Sequence, residues 1–245
     1  MVKILMMMSL LLGNAHPQDP AQQADYVTVS ENINAKAPIT KTEIAVREAA
    51  VKVVTRTGHG SGALIQHKDI QLVFTAEHVV DDPHTQTYII EKFGVKKLAI
   101  LVYADGVHDI AVLYLPEKFE DFKAMKFDPS KEILRVGSEV TFSGYPSNHQ
   151  LMTVRGRVAG YEYLRQSGTQ IIIHTYGWFG STGSVVFTEK GKIAGILWGV
   201  DVEYPNDWPQ IIEDMMWVVP IKNLNFDKAV QTVCENYNTG LRACK

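Results

Sequence analysis

Cysteine is nearly absent from this chain. Two occur in 245 residues, Cys234 and Cys244. Two thiols with no second pair nearby do not supply the four ligands of a structural zinc site. The eight histidines never fall into an HExxH or other tight ligand spacing, and no phosphate loop or dinucleotide glycine pattern is present. Long apolar runs are equally scarce. The only one is Ile4–Leu12, nine residues, where a bilayer span takes about 20. Stable membrane insertion is therefore not expected. An excess of positive charge is missing too, with 24 basic against 27 acidic residues and a net charge of −3, which argues against nucleic acid as a partner.

The short apolar run has a different use. Lys3 precedes it, and Gly13-Asn14-Ala15 follows with the small residues of a cleavage site. Residues 1–15 read as a secretory signal peptide, which places the mature chain outside the cell or in the periplasm. In that oxidising setting Cys234 and Cys244, with Gly240 between them, form a disulfide; in a reducing one they stay free thiols.

Residues 16–39 are polar, with Pro17 and Pro20, and read as a linker. Thr40 and Glu43 then offer a capping box for a short helix ending near Ala49. Beyond it the pattern is strand after strand. Short β-branched or apolar runs recur at 51–55, 62–66, 71–75, 87–90, 97–103 and 110–115. After a charged stretch at 116–132 they resume at 139–143, 153–159, 170–175, 184–188, 192–198 and 215–219. This spacing, with Gly, Asp and Asn between runs, is an all-β signature. Six strands, a break and six more predict two antiparallel barrels, over residues 40–127 and 128–222, each closing its own edges. Phe226, Ala229, Val230, Val233 and Tyr237 fall at helical spacing, so residues 223–245 are expected to form a helix and tail.

Three segments carry chemical residue types in a suggestive order. The first runs Gly58-His59-Gly60-Ser61-Gly62, then Thr75-Ala76-Glu77-His78-Val79-Val80. The second is His108-Asp109-Ile110-Ala111-Val112-Leu113. The third is Gly180-Ser181-Thr182-Gly183-Ser184-Val185, followed by Lys192-Ile193-Ala194-Gly195-Ile196. A hydroxyl becomes a nucleophile when an imidazole takes its proton, and a carboxylate fixes that imidazole's tautomer.

Together, over about residues 50–222, these segments resemble the trypsin-like, chymotrypsin-fold serine proteases, most closely the compact bacterial HtrA/Deg-type protease domain. The resemblance implies His78 as general base, Asp109 as its orienter and the N–H groups of Gly180 and Thr182 as the oxyanion hole. It implies a strand at Leu197, Trp198 and Gly199 that pairs with an extended substrate, and a first specificity pocket near Tyr176. An aromatic there, with no acid, favours a small or medium apolar residue before the cut. The expected partner is an extended or unfolded polypeptide, and no metal or organic cofactor is called for. The sequence carries no signal for an oligomeric state.

At one position the chain departs from the family. Thr182 stands where the nucleophilic serine belongs, flanked by Ser181 and Ser184, with Ser184 and Val185 in place of a glycine and a proline. The branch methyl of threonine restricts χ1 and crowds either the histidine or the incoming carbonyl. Two outcomes follow: a threonine-dependent endopeptidase, or a catalytically silent relative that binds peptide or a partner. A shift of loop register would instead present Ser181 or Ser184.

Overall fold

The structure is a computed structural model that describes residues 40–245 apart from 148, 204–207, 209, 238 and 239. The signal peptide expected at 1–15 and the linker at 16–39 lie outside the described residues.

Helix α1 (Lys41–Ala49) forms where the capping pattern predicted it and buries Glu43, Val46 and Ala49. The Glu43 carboxylate is forked by Arg155, Nε to Oε1 at 2.6 Å and the second nitrogen to Oε2 at 2.7 Å. At the other end Lys92, with no exposed surface, donates to the carbonyls of Ala50 at 2.6 Å and Arg47 at 3.3 Å. These are the carbonyls that a helix terminus leaves without intrahelical donors.

The first barrel comprises β1 (Ala50–Val54), β2 (His59–His67), β3 (Ile70–Thr75), β4 (Thr87–Lys92), β5 (Val95–Asp105) and β6 (Ile110–Tyr114). Its order is β1-β4-β5-β6-β3-β2, closed by pairing of β1 with β2. A two-residue strand, β7 (Met125–Lys126), runs parallel on β2; it lies inside the charged stretch and has no strand pattern of its own. The second barrel comprises β8 (Glu139–Gly144), β9 (Met152–Leu164), β10 (Gly168–His174), β11 (Val185–Thr188), β12 (Ile193–Glu203) and β13 (Gln210–Pro220), closed in the order β10-β13-β12-β11-β8-β9. Both six-stranded barrels are antiparallel, as the spacing of runs predicted.

Each barrel has its own apolar filling, Val51, Leu64, Val73 and Leu113 in the first and Phe142, Ile173, Val186 and Val218 in the second. A third cluster joins them. Phe74 and Val112 of the first barrel meet Phe187, Ile196 and Val219 of the second, together with Ala229 and Val233 of helix α2 (Phe226–Tyr237). Removing this much apolar surface from water at the seam, at about 25 cal/mol per Å², holds together loops contributed by both barrels.

The tail is fastened separately. Cys234 and Cys244 are joined, with Cα atoms 5.4 Å apart. Asp69, in the β2–β3 turn, accepts the N–H groups of Arg242 at 2.6 Å and Ala243 at 2.8 Å.

Candidate active site

Strand β3 is fully buried along its length and delivers a short 3₁₀ turn, Glu77–Val79, at its end. His78 sits in that turn. The β5–β6 turn brings Asp109 to it from the neighbouring strand pair. Asp109 has φ of +56°, a left-handed conformation uncommon for a residue with a side chain, and such outliers concentrate where a side chain must be aimed. The aim is visible here. One carboxylate oxygen, Oδ2, lies 2.7 Å from His78 Nδ1, and the other, Oδ1, accepts the His78 backbone N–H at 2.8 Å.

Burial works against a charged His78 imidazole, but the hydrogen bond and charge of Asp109, with Asp81 and Glu77 beyond, more than offset it. The His78 pKa therefore lies above its ordinary value. With Nδ1–H donated to Asp109, Nε2 becomes the basic nitrogen in the neutral ring. That nitrogen is buried and has no hydrogen-bond partner among the described residues. Glu77 titrates upward, from burial first and then from Asp109 and Asp81.

The loop between β10 and β11 approaches from the second barrel. Its peptide units are held one by one. The Phe179 carbonyl accepts Ser147 N–H at 2.5 Å, and the Gly180 carbonyl accepts the Ser61 hydroxyl at 2.7 Å. The Ser181 carbonyl takes Ser184 N–H at 3.0 Å, and the Thr182 carbonyl takes Ser61 N–H at 2.8 Å. Ser181 N–H reaches Trp178 O at 3.0 Å and Gly183 N–H reaches Leu197 O at 2.7 Å. Among the described residues, the N–H groups of Gly180 and Thr182 have no backbone acceptor. These are the two donors that the motif assigned to an oxyanion.

Two glycines make this path possible. Gly180 and Gly183 have φ of +87° and +89°, where glycine alone is at ease. Gly183 also leaves no room for more: a Cβ would lie 2.1 Å from Ser61 O and 2.3 Å from Thr75 Oγ1. This contact brings the loop against the strand end that leads to His78. Thr182 is 6% exposed. Because His78 Nε2 is without a partner, the Thr182 hydroxyl makes no hydrogen bond to it in this conformation.

The residues expected to touch substrate are placed unevenly. Leu197 is wholly buried in the second barrel, and its N–H and carbonyl are both engaged by the loop, with Ser184 O at 2.9 Å and Gly183 N at 2.7 Å. It anchors the loop from below. Trp198 is a bulge residue, skipped where Leu197 and Gly199 pair with Val218 and Trp217; its indole donates to Gln170 Oε1 at 3.1 Å. A Cβ on Gly199 would meet nothing within 4 Å, so that stretch of strand faces open space. Tyr176 is 44% exposed.

Ser61, Thr75, Tyr145 and Ser147 bear on the site although motif reading gave them no role. Ser61 and Thr75 lie inside the motif segments without a role of their own, and Tyr145 and Ser147 lie outside them.

Comparison with known proteins gives a consistent result. The trypsin-like peptidase domain matches residues 60–196. A glutamyl endopeptidase of Staphylococcus aureus (strain MRSA252) is 24% identical over 205 residues, 76% of this chain and 56% of that protein. The chain thus spans little more than half the length of this relative. Among solved structures, the Rv3671c protease from M. tuberculosis in its active form aligns with TM-score 0.59 and 16% identity over 79% of this chain and 83% of the other. The serine endoprotease from Yersinia pestis aligns with TM-score 0.58 and 20% identity over 80% and 68%. The inactive form of the M. tuberculosis protease scores 0.59 as well, so the overall match speaks to fold and not to catalytic state.

Proposed function

Because the chain belongs to the trypsin-like peptidase domain family, we propose that it hydrolyses peptide bonds of extended or unfolded polypeptides, with His78 as general base, Asp109 as its orienter and Thr182 as the nucleophile. The observation that carries this reading is the two-point hold of Asp109 on His78, which leaves a buried and unpartnered Nε2 beside the loop.

In the proposed route Nε2 takes the Thr182 hydroxyl proton as the oxygen attacks the substrate carbonyl. The negative charge that develops on the carbonyl oxygen is met by the N–H groups of Gly180 and Thr182. Donors of this kind are worth roughly 3 kcal/mol each in the transition state. His78 then returns the proton to the leaving amine, and water repeats the sequence on the acyl-threonine. Every proton has a residue to carry it, so the route needs no metal or organic cofactor.

Substrate is held as an added strand along Trp198 and Gly199, by backbone hydrogen bonds. The exposed aromatic ring of Tyr176, with no acid at its position, suits an apolar residue before the cut. The expected signal peptide and the Cys234–Cys244 bond both support export of the mature chain.

A second reading is favoured by one observation. The Thr182 hydroxyl does not reach Nε2, and the same frame without that bond captures peptide without cutting it. An assay on unfolded casein with the full chain, His78→Ala and Thr182→Ser separates the two readings. Peptides with apolar or glutamyl residues before the cut extend it, the latter because of the name of the S. aureus relative. Turnover abolished by His78→Ala supports hydrolysis. No turnover until Thr182→Ser supports capture, and none in any folded variant removes the hydrolase reading.

A further inference from the structure

Resting on that reading, we propose that Ser61 is a positioning residue: its side chain sets the orientation of the two N–H groups that receive the oxyanion. Ser61 has no exposed surface and makes four hydrogen bonds. Its backbone N–H donates to Thr182 O at 2.8 Å, and its carbonyl accepts the Thr75 hydroxyl at 2.8 Å. Its hydroxyl donates to Gly180 O at 2.7 Å and accepts Tyr145 N–H at 2.8 Å. An amide N–H only donates and a carbonyl only accepts, so the hydroxyl has one arrangement open to it and no freedom to rotate.

The consequence follows from the planarity of the peptide unit. In a trans peptide the N–H points opposite to the C=O, and among the described residues no peptide is cis. Pinning a carbonyl therefore aims the N–H of the next residue. Ser61 N–H pins the Thr182 carbonyl and its hydroxyl pins the Gly180 carbonyl, which fixes the units on both sides of Ser181–Thr182. The same hydroxyl holds Tyr145, two residues before Ser147, whose N–H pins the Phe179 carbonyl and so aims Gly180 N–H. One first-barrel residue thus holds both peptide units that flank the one bearing Thr182 N–H and, through residues 145–147, steadies the unit that bears Gly180 N–H.

The space around Ser61 is built for this. A Cβ on Gly144 would lie 2.8 Å from Ser61 Oγ and 2.3 Å from Ser184 Oγ, so the absence of a side chain at 144 keeps the hydroxyl in place. Behind Gly180, a Cβ would meet Tyr145 O at 2.6 Å, His59 Nε2 at 3.0 Å and Ser147 N at 3.0 Å. His59 donates to that same Tyr145 carbonyl at 3.0 Å, which steadies the segment that the Ser61 hydroxyl also grips.

The test compares Ser61→Ala and Ser61→Cys with the unaltered chain, each also in a Thr182→Ser background, by turnover of a fluorogenic peptide and by amide hydrogen exchange. Ser61→Ala lowers kcat on the order of 10- to 100-fold while KM stays within about twofold, because the donors act on the transition state and not on bound substrate. Ser61→Cys, whose thiol still offers a weak donor, falls between. Exchange over 179–184 rises about tenfold in Ser61→Ala while β3 and β6 keep their protection. Loop exchange equal to that of the unaltered chain, or a rise spread evenly over both barrels, overturns the proposal. Faster loop exchange in a chain that never turns over leaves Ser61 as the positioning residue and removes the hydrolase reading alone.

Discussion

Asp109 grips His78 twice, with one carboxylate oxygen on the ring nitrogen at 2.7 Å and the other on the backbone N–H at 2.8 Å. A single bond to the ring leaves rotation about that bond. Two bonds, one to the backbone and one to the ring, fix where the imidazole stands and which tautomer it adopts. The left-handed conformation of Asp109 is the conformational cost of this aim.

The proposed hydrolysis depends on the neutral form of a histidine whose pKa is raised. The profile of kcat/KM is expected to climb with pH through a midpoint above 6.5, because the Asp109 bond and the surrounding carboxylates outweigh burial. Asp109→Asn moves that midpoint down and lowers activity on the order of 10⁴-fold through loss of the favoured tautomer. The linkage to stability runs the other way. A raised folded-state pKa stabilises the fold below the unfolded value, and that contribution is lost as pH rises through the folded value. A midpoint unmoved in Asp109→Asn contradicts the assignment.

Gly183→Ala tests the loop. The new Cβ falls 2.1 Å from Ser61 O at a residue with φ of +89°. The left-handed backbone alone costs about 1–2 kcal/mol, and the clash adds to it. Thermal unfolding is expected to fall by about 5 °C or more, with turnover lost. A variant as stable as the unaltered chain means the loop has another conformation available.

Lys92 gives a pH signature at the far end of helix α1. Burial first, and Arg47 second, bring its pKa down to about 8, against the pull of Glu48. Between pH 8 and 10.5 the unfolded chain binds the proton that the folded chain has released, so stability rises with pH across that window. The gain is about 3 kcal/mol at most. Lys92→Met loses the donor to Ala50 O and Arg47 O, costing about 1–3 kcal/mol at neutral pH, and it shows no such rise. Denaturant melts of both chains at four pH values across the window measure the difference.

Reducing the Cys234–Cys244 bond, which closes a ten-residue separation, is expected to free the tail to open separately from the barrels. The effect is local. Exchange rises over the end of α2 and residues 241–245, whereas both barrels keep their protection. A global fall in stability places the tail in the cooperative core instead.

His78, Asp109 and the Gly180–Ser184 loop were legible in sequence because each is a chemical residue type flanked by an apolar strand, in an order that a family resemblance makes specific. The twelve barrel strands were legible from β-branched runs, and helix α2 from the spacing of Ala229, Val233 and Tyr237. Strand β7 was not, because two residues inside a charged stretch carry no pattern; pairing with β2 alone makes them a strand. Nor was the work of Leu197, expected to face substrate: its side chain fills the second barrel and both backbone groups hold the loop. Ser61 escaped for a related reason. Its importance lies in four partners that are distant in sequence, and no local pattern encodes them.

If Thr182 is the attacking residue, a covalent trap marks it. The full chain is treated with a fluorophosphonate, digested, and the modified residue located by mass spectrometry. A phosphonylated Thr182 is expected, with labelling abolished in His78→Ala and faster in Thr182→Ser, where the crowding methyl is gone. A label on Ser181 or Ser184 contradicts it, as does a folded chain in which residue 182 is labelled only when it is serine.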